Sequence, residues 1–280
     1  MKKTNQHSTL PVIEIKGRRG WAALNLNELR QYRDLFFFLV WRNIKVLYAQ
    51  TILGFMWALL NPAIQIAIFT VIFGKVAKVP TEGIPYLLFV TVAIVPWTYM
   101  SEAMTMSSQS LVQDQDILGK VYFPRLIYPA TPVLAKLVDF AISLFLIIII
   151  MIYYGIAPGW NLVLLPFFIL LMIIVPMGVG LWLSALAIRY RDVKFAMGFL
   201  IRMAMFTAPI VYSSSEISEN YRILYSLNPL VAVIEGFRAT LLGLAYEWQY
   251  ILPGTVVALL VLVSGAYYFK KMERVFADVI

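Results

Sequence analysis

Four ionisable residues fall inside long apolar runs of this sequence: Glu102, Lys136, Asp139 and Arg202. A charge inside hydrocarbon is costly, so such residues pair with one another, line water or serve a transported solute. Lys136 and Asp139 are three apart, which places them on one helix face within pairing reach. Glu102 lies near one end of its run, close to water. Arg202 lies deeper, seven residues past Phe195. It either lines a pathway or snorkels toward the cytoplasmic side. Four scattered charges fit a proton relay poorly.

Other chemistry is excluded by composition. Cysteine is absent, so no disulfide, thiolate nucleophile or Cys-ligated zinc exists. The single histidine, His7, sits in a polar tail, which removes His-based triads and His-rich metal sites. The pattern G-x-x-x-x-G-K-[ST] does not occur, so no phosphate-cradling loop is expected, and any ATP-driven function must borrow its motor from another chain.

Residues this apolar need lipid around them. The chain is 61% hydrophobic and 14% charged, against roughly 45–50% and about 25% for soluble domains. A crossing takes about 20 apolar residues. Six segments reach or approach that length: 53–74, 84–106, 126–154, 162–188, 195–212 and 250–269. None alternates with period two, which argues against a barrel. The fold class expected is therefore all-α integral membrane with six transmembrane helices. Residues 1–20 carry five basic residues and no apolar core, so a cleavable secretion signal is not expected there.

Basic residues set the orientation. With both termini in the cytoplasm, 17 of the 23 Lys and Arg residues fall inside, as the positive-inside rule requires. These residues flank apolar runs rather than forming a patch, so the net charge of +8 encodes topology and not nucleic-acid binding. Lys75, Lys78, Arg222 and Arg238 are placed outside.

Two segments do not read as crossings. In 25–50, the short run from Phe36 to Trp41 is surrounded by Arg30, Arg33, Asp34, Arg42 and Lys45. An amphipathic helix lying along the cytoplasmic face fits this pattern; a buried helix packed on the spans is the alternative. In 216–247, apolar patches 223–227, 229–234 and 239–245 are broken by Asn228-Pro229, Glu235-Gly236 and Gly243. Two short re-entrant helices dipping from the outside are expected there. A surface loop would not need so many apolar residues. Prolines at positions 62, 96, 132, 176 and 209 interrupt five of the spans, which suits kinked or moving helices.

Four ordered stretches carry a family resemblance: WRNIKVLYAQTILGFMWALLNP from Trp41, SLVQDQDILGKVYFPRLIYP from Ser110, AIRYRDVK from Ala187 and LNPLVAVIEGFRATLLG from Leu227. From about Gly20 onward the chain resembles the permease subunit of type-2 ABC exporters for polysaccharides such as O-antigen, capsular glycan and teichoic acid. The resemblance implies a homodimer in the bacterial cytoplasmic membrane, bound to two ATPase subunits that hold ATP and Mg, with no cofactor on this chain. It implies a coupling segment at 113–124, with Asp114, Asp116 and Lys120 as contact charges. It also implies an undecaprenyl-linked glycan as substrate. Related sequences carry charge where this chain has Asn43, Leu47 and Ala49, leaving Arg42 and Lys45 to receive the lipid pyrophosphate.

The domains read as a cytoplasmic tail at 1–24, the interfacial helix at 25–50 and a six-span domain at 51–280 that ends in a cytoplasmic tail from 270. Aromatic faces let sugar rings slide without fixed hydrogen bonds, which nominates Phe55, Trp57, Tyr221 and Tyr225 for a glycan pathway. The function expected is ATP-driven export of a lipid-linked polysaccharide, with no catalytic site on this chain. A type-2 exporter of drugs or small lipids, a proton-driven flippase and a membrane glycosyltransferase are the alternatives.

Overall fold

The structure, a computed structural model, describes residues 30–49, 51–113 and 124–279. Every regular element among them is helical. In chain order these are α1 (Arg33–Tyr48), α2 (Trp57–Phe69), α3 (Tyr86–Gln113), α4 (Ile127–Ala135), α5 (Leu137–Tyr154), α6 (Leu165–Arg189), α7 (Arg191–Ala204), α8 (Glu219–Ser226), α9 (Pro229–Leu242) and α10 (Trp248–Val279). Short 3-10 and π turns extend several of them. The coupling residues Asp114, Asp116 and Lys120, and the tail at 1–24, lie outside the described residues.

Five helical stretches are long and apolar enough to cross a membrane: Gly54–Val76, Tyr86–Gln113, Ile127–Tyr154, Trp160–Arg189 and Trp248–Glu273. The second is central. Its most apolar stretch is 78% buried, against 17% to 33% for the others. Helix α3 packs on α2, α4, α5, α6, α7 and α9, while the outer helices turn residues such as Ile149, Ile152 and Leu260 outward. Such a shell is what lipid, not water, would cover.

The run at 195–212 behaves differently. Its helix stops early, and only Phe195–Thr207 is helical, too short alone for a crossing. Pro209 has no N–H, and a residue before proline is pushed to extended backbone. Ala208 is there, at φ −111° and ψ 153°.

Prolines inside the other helices leave carbonyls to be capped. Pro62 cannot donate to Ala58, and Ser143 Oγ from α5 donates to that carbonyl instead at 2.8 Å. Helices α4 and α5 form one crossing interrupted at Lys136, and Tyr99 Oη from α3 donates to Val133 O beside the break at 3.0 Å. Close helix approach relies on small residues. A Cβ on Gly178 of α6 would lie 2.7 Å from the backbone nitrogen of Leu262 in α10.

Helix α1 rests on α4 through Leu39, which is buried, with Phe37 and Phe38 exposed. Near the other end of the chain, α9 runs unbroken through Glu235-Gly236, where the sequence suggested an interruption. Asn228 caps its start by accepting from Leu230 N at 3.0 Å, Pro229 occupies the first turn, and Gly243 ends it with φ +70°.

Candidate functional site

Lys136 binds more than its sequence neighbour. Its Nζ donates to Asp139 Oδ2 at 2.7 Å and to Glu102 Oε2 at 2.6 Å. The i,i+3 spacing foretold the first contact. Glu102 lies 34 positions away on α3, and nothing in the spacing signals it. The break between α4 and α5 aims the lysine at α3. All three side chains are more than half buried, so the ammonium is compensated on two sides, as a buried charge must be.

Cavities lie on either side of this cluster. The smaller, about 100 Å³, is bounded by Tyr48, Trp57, Asn61, Thr98, Glu102 and Asp139. Buried Tyr48 Oη, Thr98 Oγ1 and Asp139 Oδ1 have no hydrogen-bond partner among the described residues, and this cavity has room and polar partners for a few waters. The larger, about 590 Å³, lies between α2, α3 and α7, with Gln65, Phe69, Ser101, Glu102, Lys136 and Arg202 on its walls. Arg202 therefore lines a cavity.

A third cavity of about 430 Å³ opens beneath α1, and Arg42 reaches it together with Asn43, Ser110, Gln113, Tyr128 and Thr131. Lys45 is not on its wall; its ammonium lies 5.5 Å from the centre of the Trp41 ring. Phe55 packs against Tyr48 with ring centres 4.0 Å apart and planes tilted by 32°, and both Phe55 and Trp57 are about half exposed.

Tyr221 and Tyr225 belong to the other end of the bundle. The loop that follows Gly54–Val76 reaches the segment before α8, where Ser213 Oγ donates to Glu82 Oε1 at 2.6 Å. Phe55 and Trp57 begin that same crossing, so the four proposed pathway aromatics divide between two ends. Tyr221 is exposed, whereas Tyr225 Oη meets Tyr212 Oη at 3.4 Å.

The sequence reading missed a polar cluster here. Arg238, placed outside by its sequence, is 1% exposed. It pairs with Glu235 at 3.1 Å, lies 3.6 Å from the Phe89 ring centre, and donates to Ile210 O at 3.2 Å. The i,i+3 spacing within IEGFR was the available signal. Nearby, the hydroxyls of Ser213 and Ser215 hold the Glu82 carboxyl below its ordinary value.

A helical bundle with a charged centre and a cavity under helix α1 invites comparison with known permeases. The profile of the ABC-2 type transporter membrane family matches residues 34–242. The chain belongs to this family. Among relatives of this ABC-2 chain, the O-antigen export system permease protein RfbA of Myxococcus xanthus is 27% identical over 260 residues, covering 90% of this chain and 98% of that protein. The Klebsiella pneumoniae protein of the same name is 25% identical over 248 residues, covering 88% and 95%. The polysialic acid transport protein KpsM of Escherichia coli is 24% identical over 202 residues, covering 69% and 76%. ABC-2 membership makes this a multi-pass membrane permease with an ATPase partner, and the nucleotide belongs to that partner.

Proposed function

We propose that this chain is the membrane-spanning subunit of an ATP-driven exporter that moves a lipid-linked, O-antigen-like polysaccharide across the bacterial cytoplasmic membrane. The observation that carries the reading is the end-to-end match to O-antigen export permeases, which spans 90% of this chain and 98% of its Myxococcus relative. A match over nearly both full lengths leaves little sequence for a different architecture.

In this reading two copies of the chain stand on two ATPase subunits. Six crossings put both termini in the cytoplasm, with α7 and the turns after it as the fifth and with α8 and α9 entering the outer leaflet from outside. The distribution of Lys and Arg supports that topology. Residues 113–124 transmit ATP-driven motion through Asp114, Asp116 and Lys120.

The lipid pyrophosphate docks under α1. Arg42 supplies charge-assisted hydrogen bonds, the polar walls of the 430 Å³ cavity supply neutral ones, and Lys45 draws the anion from the membrane surface. The undecaprenyl-linked glycan then passes through the membrane over aromatic faces, with Phe55 and Trp57 at the cytoplasmic end and Tyr221 and Tyr225 at the outer end.

The test is surface glycan in cells lacking the native permease. Restoration by this chain with its ATPase supports the reading. Small-molecule efflux without any lipid-linked glycan accumulating inside on deletion would refute it.

A further inference from the structure

The run at 195–212 is apolar enough to continue as helix, yet its last residues are held in another shape by side chains. Asn228 Nδ2 donates to Thr207 O at 3.0 Å and to Thr207 Oγ1 at 3.1 Å. Arg238 Nη2 donates to Ile210 O at 3.2 Å. Tyr86 Oη donates to Val211 O at 3.0 Å. Ser213 Oγ fastens the far end to Glu82.

In a continuing α-helix the Thr207, Ile210 and Val211 carbonyls would accept from residues 211, 214 and 215. Side chains on α3, on α9 and just before it therefore stand in for helix bonds. The amides of Val211, Tyr212 and Ser213 form no backbone hydrogen bond among the described residues.

We propose that residues 205–213 are a two-state segment and that Arg238 is its latch. Clamped, the segment is non-helical and α7 ends short. Released, its carbonyls accept from the backbone and the helix runs on to about residue 215, joining the turn at Ser214–Glu216. The helix that begins at Phe195 then lengthens from about 20 Å to about 32 Å, close to the thickness of a bilayer core. Pro209 keeps the two states near balance: it denies the helix one backbone bond at Met205 O and favours extended backbone at Ala208. Side-chain substitutes for backbone bonds are what non-helical chain at membrane depth requires.

Arg238 is the latch because its guanidinium keeps two partners in either state. Glu235 and the Phe89 face stay on rigid helices, so only the bond to Ile210 O is exchanged. This inference rests on the six-crossing topology proposed above.

The experiment is amide hydrogen exchange on the permease with its ATPase in nanodiscs. Loosening a clamp ordinarily speeds exchange; here it slows it. In Arg238→Gln, and in Tyr86→Phe combined with Asn228→Ala, exchange at residues 211–213 slows at least several-fold relative to the unaltered protein. The second variant carries the test where the first does not assemble. Faster or unchanged exchange in an assembled variant overturns the latch. The topology is read separately, by labelling Ser218→Cys from outside; labelling only from the cytoplasm removes the topology and the latch together. Outside labelling with unslowed exchange removes the latch alone.

Discussion

Lys136 neutralises two carboxylates that lie on different helices. Its loss leaves Glu102 and Asp139 facing each other without a cation, and breaking a buried ion pair costs about 3–5 kcal/mol. Lys136→Met should therefore lower the thermal midpoint of the solubilised protein by several degrees, and adding Glu102→Gln should restore part of it. Equal midpoints for the single and double variants would show that the cluster is not coupled. Glu82 gives a pH prediction. Its carboxyl is held below its ordinary value, so the stabilisation it brings is full above the unfolded value and is lost as pH falls through the folded one. The thermal midpoint of the solubilised protein should therefore fall as acid protonates Glu82. Glu82→Gln should remove the pH response. At this scale local pairs were legible and distant ones were not. Lys136 and Asp139 announce themselves by spacing; Glu102 does not, because helix α3 meets α4 and α5 only through the fold. Arg238 and Glu235 carried the same spacing signal, but positive charge near the outer side reads first as topology.

Elements were legible to the extent that length and apolarity decide them. Five crossings follow directly from their runs. The fifth apolar run is helical only over Phe195–Thr207, because hydropathy does not register Ala208-Pro209, where missing N–H and steric pressure end the helix. The interruption expected at Glu235-Gly236 is absent because a buried ion pair and the close approach of Phe168 stabilise the helix there. Two element-level substitutions test these contacts. Ser143→Ala removes the donor that caps the Ala58 carbonyl freed by Pro62; an unmet buried acceptor costs about 1–3 kcal/mol, readable as lower thermal stability without loss of membrane insertion. Gly178→Val forces α6 and α10 apart at a contact of 2.7 Å. It should cost more than Ser143→Ala, because backbone rather than a flexible side chain must yield. If Gly178→Val matched the unaltered protein in stability, the close helix contact would be wrong.

The whole molecule is an exporter's membrane half in the reading proposed here, and it depends on another chain for energy. The purified permease should hydrolyse no ATP, and the assembly with its ATPase should. A phosphate-release assay on both decides this, and turnover by the permease alone would sink the reading. Function at this scale was legible through the four ordered stretches, not through any single residue, since transport chemistry leaves no catalytic signature. The four pathway aromatics illustrate the limit: their type was readable, but the grouping at opposite ends depends on which loop meets which.

The ion cluster also bears on how the chain enters the membrane during synthesis. Glu102 emerges from the ribosome 34 residues before the lysine that neutralises it. Asp139 follows that lysine by a single helical turn and arrives already paired. The second hydrophobic segment is thus the one that carries an uncompensated charge, and its place in lipid is costlier until the third is made. Release of the two together as a hairpin would spare that cost.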